Sequence, residues 1–471
     1  MRSADPIMRA MSPDIFDVAI VGAGVVGCAV ARRLALAGKR VVVLEGGGDV
    51  LSGASKANSA ILHTGFDAPP GSLELKCMQA GYAEYMAIRA DLNLPVLETG
   101  AMVVAWTEDE ERKLTELEAQ ALANGVEDCQ IIDASQVRAR EPNLSPHACA
   151  ALLVPREHVI DPWSPFHAYA IQAVQAGARL VFNAEVTGGN FDGRVWSLDT
   201  TLGRFRANGV VNCAGLFGDT LEEKLLGDAS FQIRPRKGQF VVFDKAASKL
   251  LTTIILPVPS DRTKGVVLCR TAFGNVLVGP TAEEQDDRGP ATITEPELKL
   301  LIGKAEEILP ALRGMPVTAI YSGLRPATEQ KHYRIRHDAD RNWLTIGGIR
   351  STGMTAALGL AQMAERLLLG DSAALVSSPN SPPPPLMPNL ADHLPRDWQK
   401  PGYDEIVCHC EMVTRREIEA AFASPLPPGD PGGLKRRTRC AMGRCQGFNC
   451  LGRLSELTAG RLPNPFPATA L

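Results

Sequence analysis

The sequence predicts an α/β protein in two parts, a large body of mixed strands and helices followed by a small helical domain. Three observations lead to this prediction. A strand–helix–strand pattern opens the chain, a proline-rich stretch at 371–402 forms an expected stiff linker, and five of the eleven cysteines lie between positions 408 and 450. The length of 471 residues suits two or three domains.

The opening pattern is a βαβ unit. Apolar runs predict a strand at 16–21, a helix at 25–37 and a second strand at 39–44. The connections between them are only a few residues long, which suits parallel strands wound around one sheet.

A glycine-rich turn joins the first strand to the first helix. Gly22 permits a tight turn, Gly24 lets a pyrophosphate approach the backbone, and Gly27 brings helix and strand together. Glu45, at the end of the second strand, can accept hydrogen bonds from ribose hydroxyls. This fingerprint predicts a Rossmann-like dinucleotide-binding domain, and by itself it leaves FAD and NAD as alternatives.

The rest of the body mixes strand and helix patterns. Strands are predicted at 179–183, 209–212, 239–243, 266–270, 275–278 and 343–346. Helices are predicted at 72–92, 109–124, 163–176, 294–309 and 353–368. The mixture predicts a second sheet, mixed or antiparallel, interleaved with the dinucleotide-binding domain.

Composition and charge exclude several classes of protein. The net charge of −4 and the aromatic content of 5% provide neither a basic surface nor a base-stacking platform for nucleic acid. No apolar run approaches the roughly 18–20 residues that a membrane span requires, and the N-terminal residues lack the apolar core of a signal peptide. We therefore expect a cytoplasmic protein that contacts a membrane only peripherally, through a partner.

Two further glycine-rich segments favour FAD over NAD. Ala214 and Gly215 follow a predicted strand, in a small-residue turn that can lie against the same dinucleotide. The segment 347–355 runs from a strand into a helix whose N-terminal dipole can stabilise negative charge on a reduced flavin. Its candidate cofactor contacts are Gly348, Ser351, Gly353, Met354 and Thr355.

Together with the run 55–65, these segments resemble the D-amino-acid-oxidase-like superfamily of FAD enzymes. Within it, the chain is most similar to glycerol-3-phosphate dehydrogenases and oxidases and to L-2-hydroxyglutarate dehydrogenases. The likeness covers about 15–370, and it implies noncovalent FAD with Asn58 and Ser59 in a turn that wraps the flavin. It implies FAD-binding segments at about 15–75, 150–235 and 320–370, and substrate segments at about 76–149 and 236–319.

The same resemblance implies oxidation of a secondary alcohol on a small anionic substrate by hydride transfer to flavin. Loss of the hydroxyl proton needs a base, and His63 is the first candidate because imidazole titrates near neutral pH. Arg325 lies in a Gly-x-Arg-Pro turn like that of the relatives and is the candidate for anion capture, although Arg before Pro is also a common turn anchor. Lys264 is a candidate on the substrate side, or else a solvated loop cation.

The tail at 403–465 contains a CxC pair, Cys408 and Cys410, and a CxxxxC pair, Cys445 and Cys450. Four thiolates can hold zinc or a [2Fe–2S] cluster, although zinc ribbons usually use CxxC pairs. The tail resembles the [2Fe–2S] domain of bacterioferritin-associated ferredoxin, which implies that these four cysteines are the ligands and that Cys440 is a bystander. Zinc and a metal-free redox dithiol remain alternatives.

Five basic residues surround the second cysteine pair. Cations there could offset the negative charge of four thiolates around iron. For Lys435 and Arg436, a solvated basic face is the alternative. The residues are Lys435, Arg436, Arg437, Arg439 and Arg444.

These features predict an FAD-dependent dehydrogenase acting on glycerol 3-phosphate or a 2-hydroxy acid. Its electrons would pass through the [2Fe–2S] cluster to a partner, either an electron-accepting protein subunit or a quinone-linked carrier. One alternative keeps the fold but oxidises an amine or amino acid. Another is a non-catalytic redox sensor.

Overall fold

The computed structural model of the protein describes residues 15–259, 265–370, 382–463 and 466. The strands are β1 (Ile15–Val21), β2 (Val41–Leu44), β3 (Ile61–Leu62), β4 (Val96–Leu97), β5 (Ala101–Ala105), β6 (Gln130–Asp133), β7 (Ala150–Val154), β8 (His158–Ile160), β9 (Arg179–Val181), β10 (Val186–Phe191), β11 (Trp196–Thr200), β12 (Gly203–Asn212), β13 (Arg236–Phe243), β14 (Ile254–Pro257), β15 (Val267–Arg270), β16 (Val276–Gly279), β17 (Glu283–Glu284), β18 (Val317–Arg325), β19 (Arg334–Asp338), β20 (Trp343–Gly347), β21 (Ile406–Cys408) and β22 (Val413–Thr414). The helices are α1 (Val25–Leu36), α2 (Leu73–Ile88), α3 (Glu108–Ala123), α4 (Ala134–Arg140), α5 (Ser164–Gln175), α6 (Gly218–Leu226), α7 (Glu295–Ile308), α8 (Gly353–Leu369), α9 (Arg415–Ala423), α10 (Pro431–Thr438) and α11 (Leu451–Thr458).

The first sheet forms the dinucleotide-binding part of the body. Its strands β9, β2, β1 and β12 are parallel, so that Val18 lies between Val41 and Gly209. Strand β20 adds to the parallel set beside β12, while β10, β11 and β19 pair antiparallel towards the edges. The predicted parallel βαβ unit is confirmed.

A second sheet runs in the order β17–β13–β16–β15–β14–β5–β7–β6, with β18 also paired to β13. Its strand pairs are antiparallel except for β5 with β14, as the prediction of a mixed sheet requires. Helix α7 packs on this sheet, where Leu301 joins Val241 and Phe243 in one apolar cluster. This sheet faces the dinucleotide-binding part across the cavity described below.

Helix α8 approaches α2 so closely that only glycine fits at two positions. A Cβ atom on Gly81 would lie 2.0 Å from the carbonyl oxygen of Thr355, and one on Gly359 would lie 2.1 Å from that of Cys77. The contact fixes α8 between α1 and α2, and it thereby fixes where the N-terminus of α8 points.

All six predicted body helices are present, with small differences at their ends. The sequence prediction missed α4, α6 and several short strands, including β7 and β8. These strands have only two to six residues or lie at sheet edges, where an apolar run is too short to establish a period.

A small three-stranded sheet has the strand order β3–β8–β4. Leu62 of β3 lies opposite His158 of β8. The residues that follow β3 and precede β8, His63 and Glu157, are therefore neighbours, although they are 94 positions apart in the sequence.

The described part of the linker packs on the body. Met387 is buried, and its backbone N–H donates to the Leu92 carbonyl at 3.1 Å. Further along, the Asp392 N–H donates to the Ala272 carbonyl at 2.8 Å. These contacts hold residues 387–392 against the second sheet and bring the tail back to the body.

The tail contains the β21–β22 pair and helices α9, α10 and α11, as the prediction of a small helical domain requires. Thr414 and Glu417 form a capping box at the start of α9. The tail has its own apolar core, in which Ile418, Leu434 and Leu454 are buried together.

Three sequence predictions concern segments outside the described residues. They are the N-terminal segment 1–14, the loop residue Lys264 and the first part of the linker, 371–381. Across the ranges that the structure does describe, none of the helices combines the length and the apolar character needed to cross a membrane.

Candidate active site and cysteine cluster

A cavity of about 480 Å³ opens at the carboxyl ends of the parallel strands β1, β2, β12 and β20. This is where open α/β sheets bind ligands. The cavity collects most of the candidates that lie far apart in the sequence. The predicted residues that line it are Gly22, Gly24, Glu45, Asn58, Ser59, His63, Ala214, Gly215, Arg325, Gly348, Ser351, Gly353, Met354 and Thr355.

The glycines of the first turn are required by backbone contacts. Gly22 has a φ of +101°, and a Cβ atom there would lie 2.6 Å from the Cys213 carbonyl oxygen. Gly27 packs beneath the cavity, where a Cβ atom would lie 1.9 Å from the Gly22 carbonyl oxygen. Helix α1, the turn and β12 can therefore approach one another only without side chains at these points.

Glu45 holds the turn from the next strand. Its Oε2 accepts the Ala23 N–H at 2.6 Å, and its Oε1 accepts the Gly47 N–H at 2.7 Å. Burial raises the pKa of this carboxyl, and the two N–H groups oppose that shift. A carboxylate at this position, at the edge of the cavity, suits the ribose contact predicted from the sequence.

Two helix N-termini face the same cavity. Helix α1 follows Gly24 and α8 follows Thr352, and neither N-cap residue caps its helix with its own side chain. The first N–H of α1, that of Val25, donates to Ser55 Oγ at 3.1 Å. The positive end of each helix dipole is directed at the cavity. Two carboxylates lie close by, since Glu45 accepts the Ala23 N–H at 2.6 Å and Glu74 accepts the Thr352 hydroxyl at 2.9 Å. This arrangement fits a dinucleotide with its pyrophosphate at α1 and an electron-accepting ring near α8.

The turn that contains Asn58 and Ser59 is held by three hydrogen bonds. Asn58 Nδ2 donates to the Ser55 carbonyl at 3.1 Å, and its Oδ1 accepts the Ala60 N–H at 2.9 Å. The Tyr321 hydroxyl donates to the Asn58 carbonyl at 2.7 Å. The turn is therefore attached to β18 of the second sheet, which places it between the two halves of the body.

His63 lies at the cavity wall beside a fully buried carboxylate. Its Nδ1 is 2.7 Å from Oε2 of Glu157, which is 0% exposed. The backbone N–H and the hydroxyl of Thr64 donate to Oε1 of Glu157 at 2.5 and 2.8 Å. A proton on Nδ1 that is donated to Glu157 selects the tautomer in which Nε2 is the proton-accepting nitrogen.

Sequence reasoning missed Glu157. It belongs to no motif, and it reaches His63 only because β3 pairs with β8. The available signal was an acid at the start of a short apolar run, and such a signal is too weak to predict a partner.

Arg325 is a largely buried cation in the cavity wall. Its guanidinium donates to the carbonyl oxygens of Thr281 at 2.9 Å and Lys237 at 3.4 Å. Burial lowers the pKa of Arg325 to about 10, and the nearby charge of Arg236 adds to that shift. The group stays positively charged at neutral pH, in surroundings that favour the approach of an anion.

Residues 236–239 serve the strand rather than the cavity. Arg236 is paired with Glu284, and Lys237 lies 2.9 Å from Glu283. These pairs join β13 to β17, so both side chains stabilise the strand pairing. Gly238 lines the cavity through its backbone.

The four predicted ligand cysteines lie in two pairs. The Cys450 thiol donates to the Cys408 sulfur, and the Cys410 thiol donates to Cys445. Each pair joins one cysteine of the CxC motif to one of the CxxxxC motif. Within the described ranges, no three His, Cys, Asp or Glu side chains are arranged to hold a single metal ion.

Backbone N–H groups point at these sulfurs, as an iron–sulfur site requires. Cys408 accepts from Ala441 and Glu411, and Cys445 accepts from Asn449. Ala441 has a left-handed φ of +58°, which turns its N–H inwards. The Cys450 thiol and the N–H groups lower the pKa of Cys408 to about 6, and this favours the thiolate that binds metal.

Cys440 differs from its neighbours. It is buried in the tail core, and its side chain contacts Thr438. Burial raises its pKa to about 12, so the thiol stays protonated at neutral pH. Its position suits the predicted role of a bystander.

The basic residues around Cys440 have partners other than the cysteines. Arg437 pairs with Asp49 of the body, Arg439 pairs with Glu411, and Arg444 pairs with Asp244. Arg436 is buried, so the alternative of a solvated face does not hold for this residue. Three of the cations, Arg436, Arg437 and Arg444, bind a carbonyl or carboxylate of the body, which the sequence alone does not indicate.

Comparison with known proteins identifies the family. Residues 17–367 match the FAD dependent oxidoreductase family. The chain belongs to this family. Residues 406–459 match the BFD-like [2Fe-2S] binding domain. The cofactors are therefore FAD and a [2Fe–2S] cluster, as predicted, and the zinc alternative is set aside.

Three relatives have informative names. The chain is 31% identical to glycerol 3-phosphate dehydrogenase of Caloramator mitchellensis, over 95% of each chain. It is 24% identical to one subunit of the anaerobic glycerol-3-phosphate dehydrogenase of Escherichia coli K12, over 96% of this chain and 89% of that protein. It is 28% identical to L-2-hydroxyglutarate dehydrogenase of Indibacter alkaliphilus, over 57% of this chain and 68% of that protein.

Solved structures share the fold of the body. L-alpha-glycerophosphate oxidase from Mycoplasma pneumoniae with FAD bound superposes with a TM-score of 0.74 at 28% identity, over 80% of this chain and 100% of that one. Glycine oxidase from Bacillus cereus gives a TM-score of 0.67 at 24% identity, over 75% and 95% of the two chains. The second comparison bears on the fold alone.

The cysteine assignments predict distinct cluster contents for two variants. Cys450→Ser should lose most of the iron, acid-labile sulfide and visible cluster absorbance, because one iron loses a thiolate ligand. Cys440→Ala should keep the wild-type cluster content, because the protonated Cys440 thiol faces the tail core. Iron and sulfide analysis of the purified variants checks both, and equal losses in the two variants would contradict the ligand assignment.

Proposed function

We propose that the protein is a dehydrogenase that oxidises the secondary alcohol of glycerol 3-phosphate. The observation that carries the proposal is the pairing of His63 with buried Glu157 in the same cavity wall as the partly buried cation Arg325. A base and an anion-binding group are the two side chains that this reaction needs. The relative from Caloramator mitchellensis, which matches along 95% of each chain, has the same named substrate.

FAD, when bound, supplies the acceptor for the hydride. The cavity residues that would hold it are the glycines of the first turn, Glu45 at the ribose, and the N-terminus of α8 near the flavin ring. The turn at Asn58 and Ser59 would cover the flavin from the side of the second sheet.

His63 would take the hydroxyl proton at Nε2. Glu157 contributes in two ways, because its carboxylate fixes the tautomer and stabilises the imidazolium that forms when the proton arrives. Thr64 holds the carboxylate in place through two hydrogen bonds. Glu157 is therefore a positioning residue for the base.

Arg325 would bind the anionic end of the substrate. Its guanidinium now donates only to backbone carbonyls among its described hydrogen-bond partners, so a phosphate would add the charge-assisted bonds that a buried cation favours. Lys264 and Ser351 are further candidates for substrate contact, and Ser351 lines the cavity. A carboxylate would satisfy Arg325 as well, and the L-2-hydroxyglutarate dehydrogenase relative makes a 2-hydroxy acid the second candidate substrate.

The [2Fe–2S] cluster, when bound at Cys408, Cys410, Cys445 and Cys450, supplies a carrier for single electrons. The loop between the last two ligands is accessible to a partner, since Phe448 is 86% exposed. The relative from Escherichia coli K12 is named as one subunit of an enzyme, which supports a partner here that is an electron-accepting protein subunit. A cluster with an accessible loop favours dehydrogenase over oxidase activity.

We place this activity in the cytoplasm, with any membrane contact made through the partner. All eleven cysteines are free thiols, as in proteins of reducing compartments. The alternative of amine oxidation is supported by fold similarity alone, and the alternative of a non-catalytic sensor leaves the His63–Glu157 pair without a role.

The anion-binding role of Arg325 predicts a substrate pattern. Glycerol 3-phosphate should reduce the flavin faster than L-2-hydroxyglutarate, glycerol or amino acids. Arg325→Gln should lower kcat/KM for glycerol 3-phosphate by a factor that corresponds to a loss of roughly 2–5 kcal/mol of transition-state stabilisation. The reaction with uncharged glycerol should be as slow in the variant as in the wild type. Anaerobic flavin bleaching with each compound checks the pattern, and bleaching by an amine alone would contradict it.

The role of Glu157 predicts a selective loss in kcat. Glu157→Gln should lower kcat by about 100-fold or more, because a glutamine amide can donate to Nδ1 and so favours the unproductive tautomer. FAD content and Tm should stay near those of the wild type, and raising the pH should not restore the rate. The matched control is Asp128→Asn, which changes a nearby exposed acid paired with Arg156. Wild-type kcat in Glu157→Gln, or equal loss in both variants, would refute the positioning role.

A further inference from the structure

One loop of the body contacts both the FAD cavity and the [2Fe–2S] tail. It follows β2 and runs from Glu45 to Leu51. Glu45 lines the FAD cavity at the start of the loop, and Asp49 meets the tail four residues later. The loop therefore lies between the FAD cavity and the tail and contacts both.

The tail binds this loop through a buried ion pair. Asp49 is 0% exposed, and its two carboxylate oxygens accept from the two terminal nitrogens of Arg437 at 2.6 and 3.0 Å. The Gly429 N–H donates to the same carboxylate at 3.0 Å. The ion pair is bidentate and desolvated, the geometry in which loss of one partner is most damaging.

Close backbone contacts surround the ion pair. Arg436 donates to the Val50 carbonyl at 2.9 Å. A Cβ atom on Gly429 would lie 2.0 Å from the Gly48 carbonyl oxygen, and one on Gly433 would lie 1.6 Å from Asp49 Oδ2. Helix α10 and the loop before it thus fit the body loop without room for an added methyl group.

Both ends of the loop are hydrogen-bonded to the phosphate-binding turn. Glu45 accepts the Ala23 N–H at 2.6 Å, and the Leu51 N–H donates to the Ala23 carbonyl at 3.0 Å. Both bonds meet at one residue of the turn between Gly22 and Gly24. A displacement of the loop would therefore move the carboxylate and the backbone that face FAD.

We propose that docking of the tail on the loop and binding of FAD in the cavity stabilise one another. Without Arg437, Asp49 is a buried charge lacking its cation, so the loop must open to hydrate it. That opening moves Glu45 away from the ribose. The inference depends on the ribose contact of Glu45 given above, and it makes Arg437 a positioning residue for a cofactor that it does not touch.

The coupling is reciprocal in the equilibrium. If a docked tail tightens FAD binding, then bound FAD holds the tail against the body by the same factor. Loss of FAD should then weaken the docking of the tail by that factor.

The test is the rate of FAD release from the holoenzyme. Release is followed by the rise of flavin fluorescence after dilution, with cluster absorbance measured in the same samples. Arg437→Ala should release FAD about 10-fold faster or more, in the range of typical coupling between sites. Gly433→Ala should act in the same direction, because its methyl group displaces Asp49 while leaving every charge in place.

Two further variants separate the possible failures. Arg461→Ala removes an exposed ion pair with Glu419 within the tail and should release FAD at the wild-type rate. Glu45→Gln should release FAD faster, as the ribose contact requires.

Fast release in Arg437→Ala and Gly433→Ala, with wild-type release in Arg461→Ala, supports the coupling. Wild-type release in both Arg437→Ala and Gly433→Ala overturns it. Fast release in Glu45→Gln would in that case still support the contact between Glu45 and the ribose. Wild-type release in Glu45→Gln overturns the ribose contact and the coupling together. If Arg437→Ala does not fold, the same comparison is made with Gly433→Ala alone.

Discussion

The close approach of backbone segments at Gly22 and Gly27 is the constraint on which the rest of the structure depends. Helix α1 and strand β12 meet the turn within distances that exclude any Cβ atom. This contact sets the helix N-terminus at the mouth of the cavity, next to the ends of the parallel strands. Glu45, the Asn58 turn and the N-terminus of α8 are then arranged around the same space.

The second half of the body completes the site with charged side chains. Strand β18 brings Arg325 to the cavity, and the β3–β8 pair brings His63 to Glu157. The resulting wall has a buried cation and a base held by a carboxylate, both reached from one opening. The tail is not a detached appendage, since Asp49 and Asp244 of the body hold two of its arginines.

The features predictable from the sequence are those that depend on local backbone requirements. Glycine turns and the βαβ period each specify their structure within a short window, and they were predicted correctly, as was the [2Fe–2S] domain of the tail. Glu157 was missed because its contact with His63 spans 94 positions. The docking of Arg437 on Asp49 spans 388 positions, and a run of basic residues does not indicate which acids they face. The basic run was therefore assigned to the cluster instead of the interface.

The central claim is that electrons from a small anionic alcohol enter at the cavity and leave through the tail. Anaerobic rapid mixing of the holoenzyme with glycerol 3-phosphate tests it most directly, with flavin and cluster absorbance followed separately in one turnover. Flavin absorbance should fall first, and cluster absorbance should then fall as single electrons move on. Oxidised flavin throughout, or a cluster that stays oxidised beside fully reduced flavin, would contradict it.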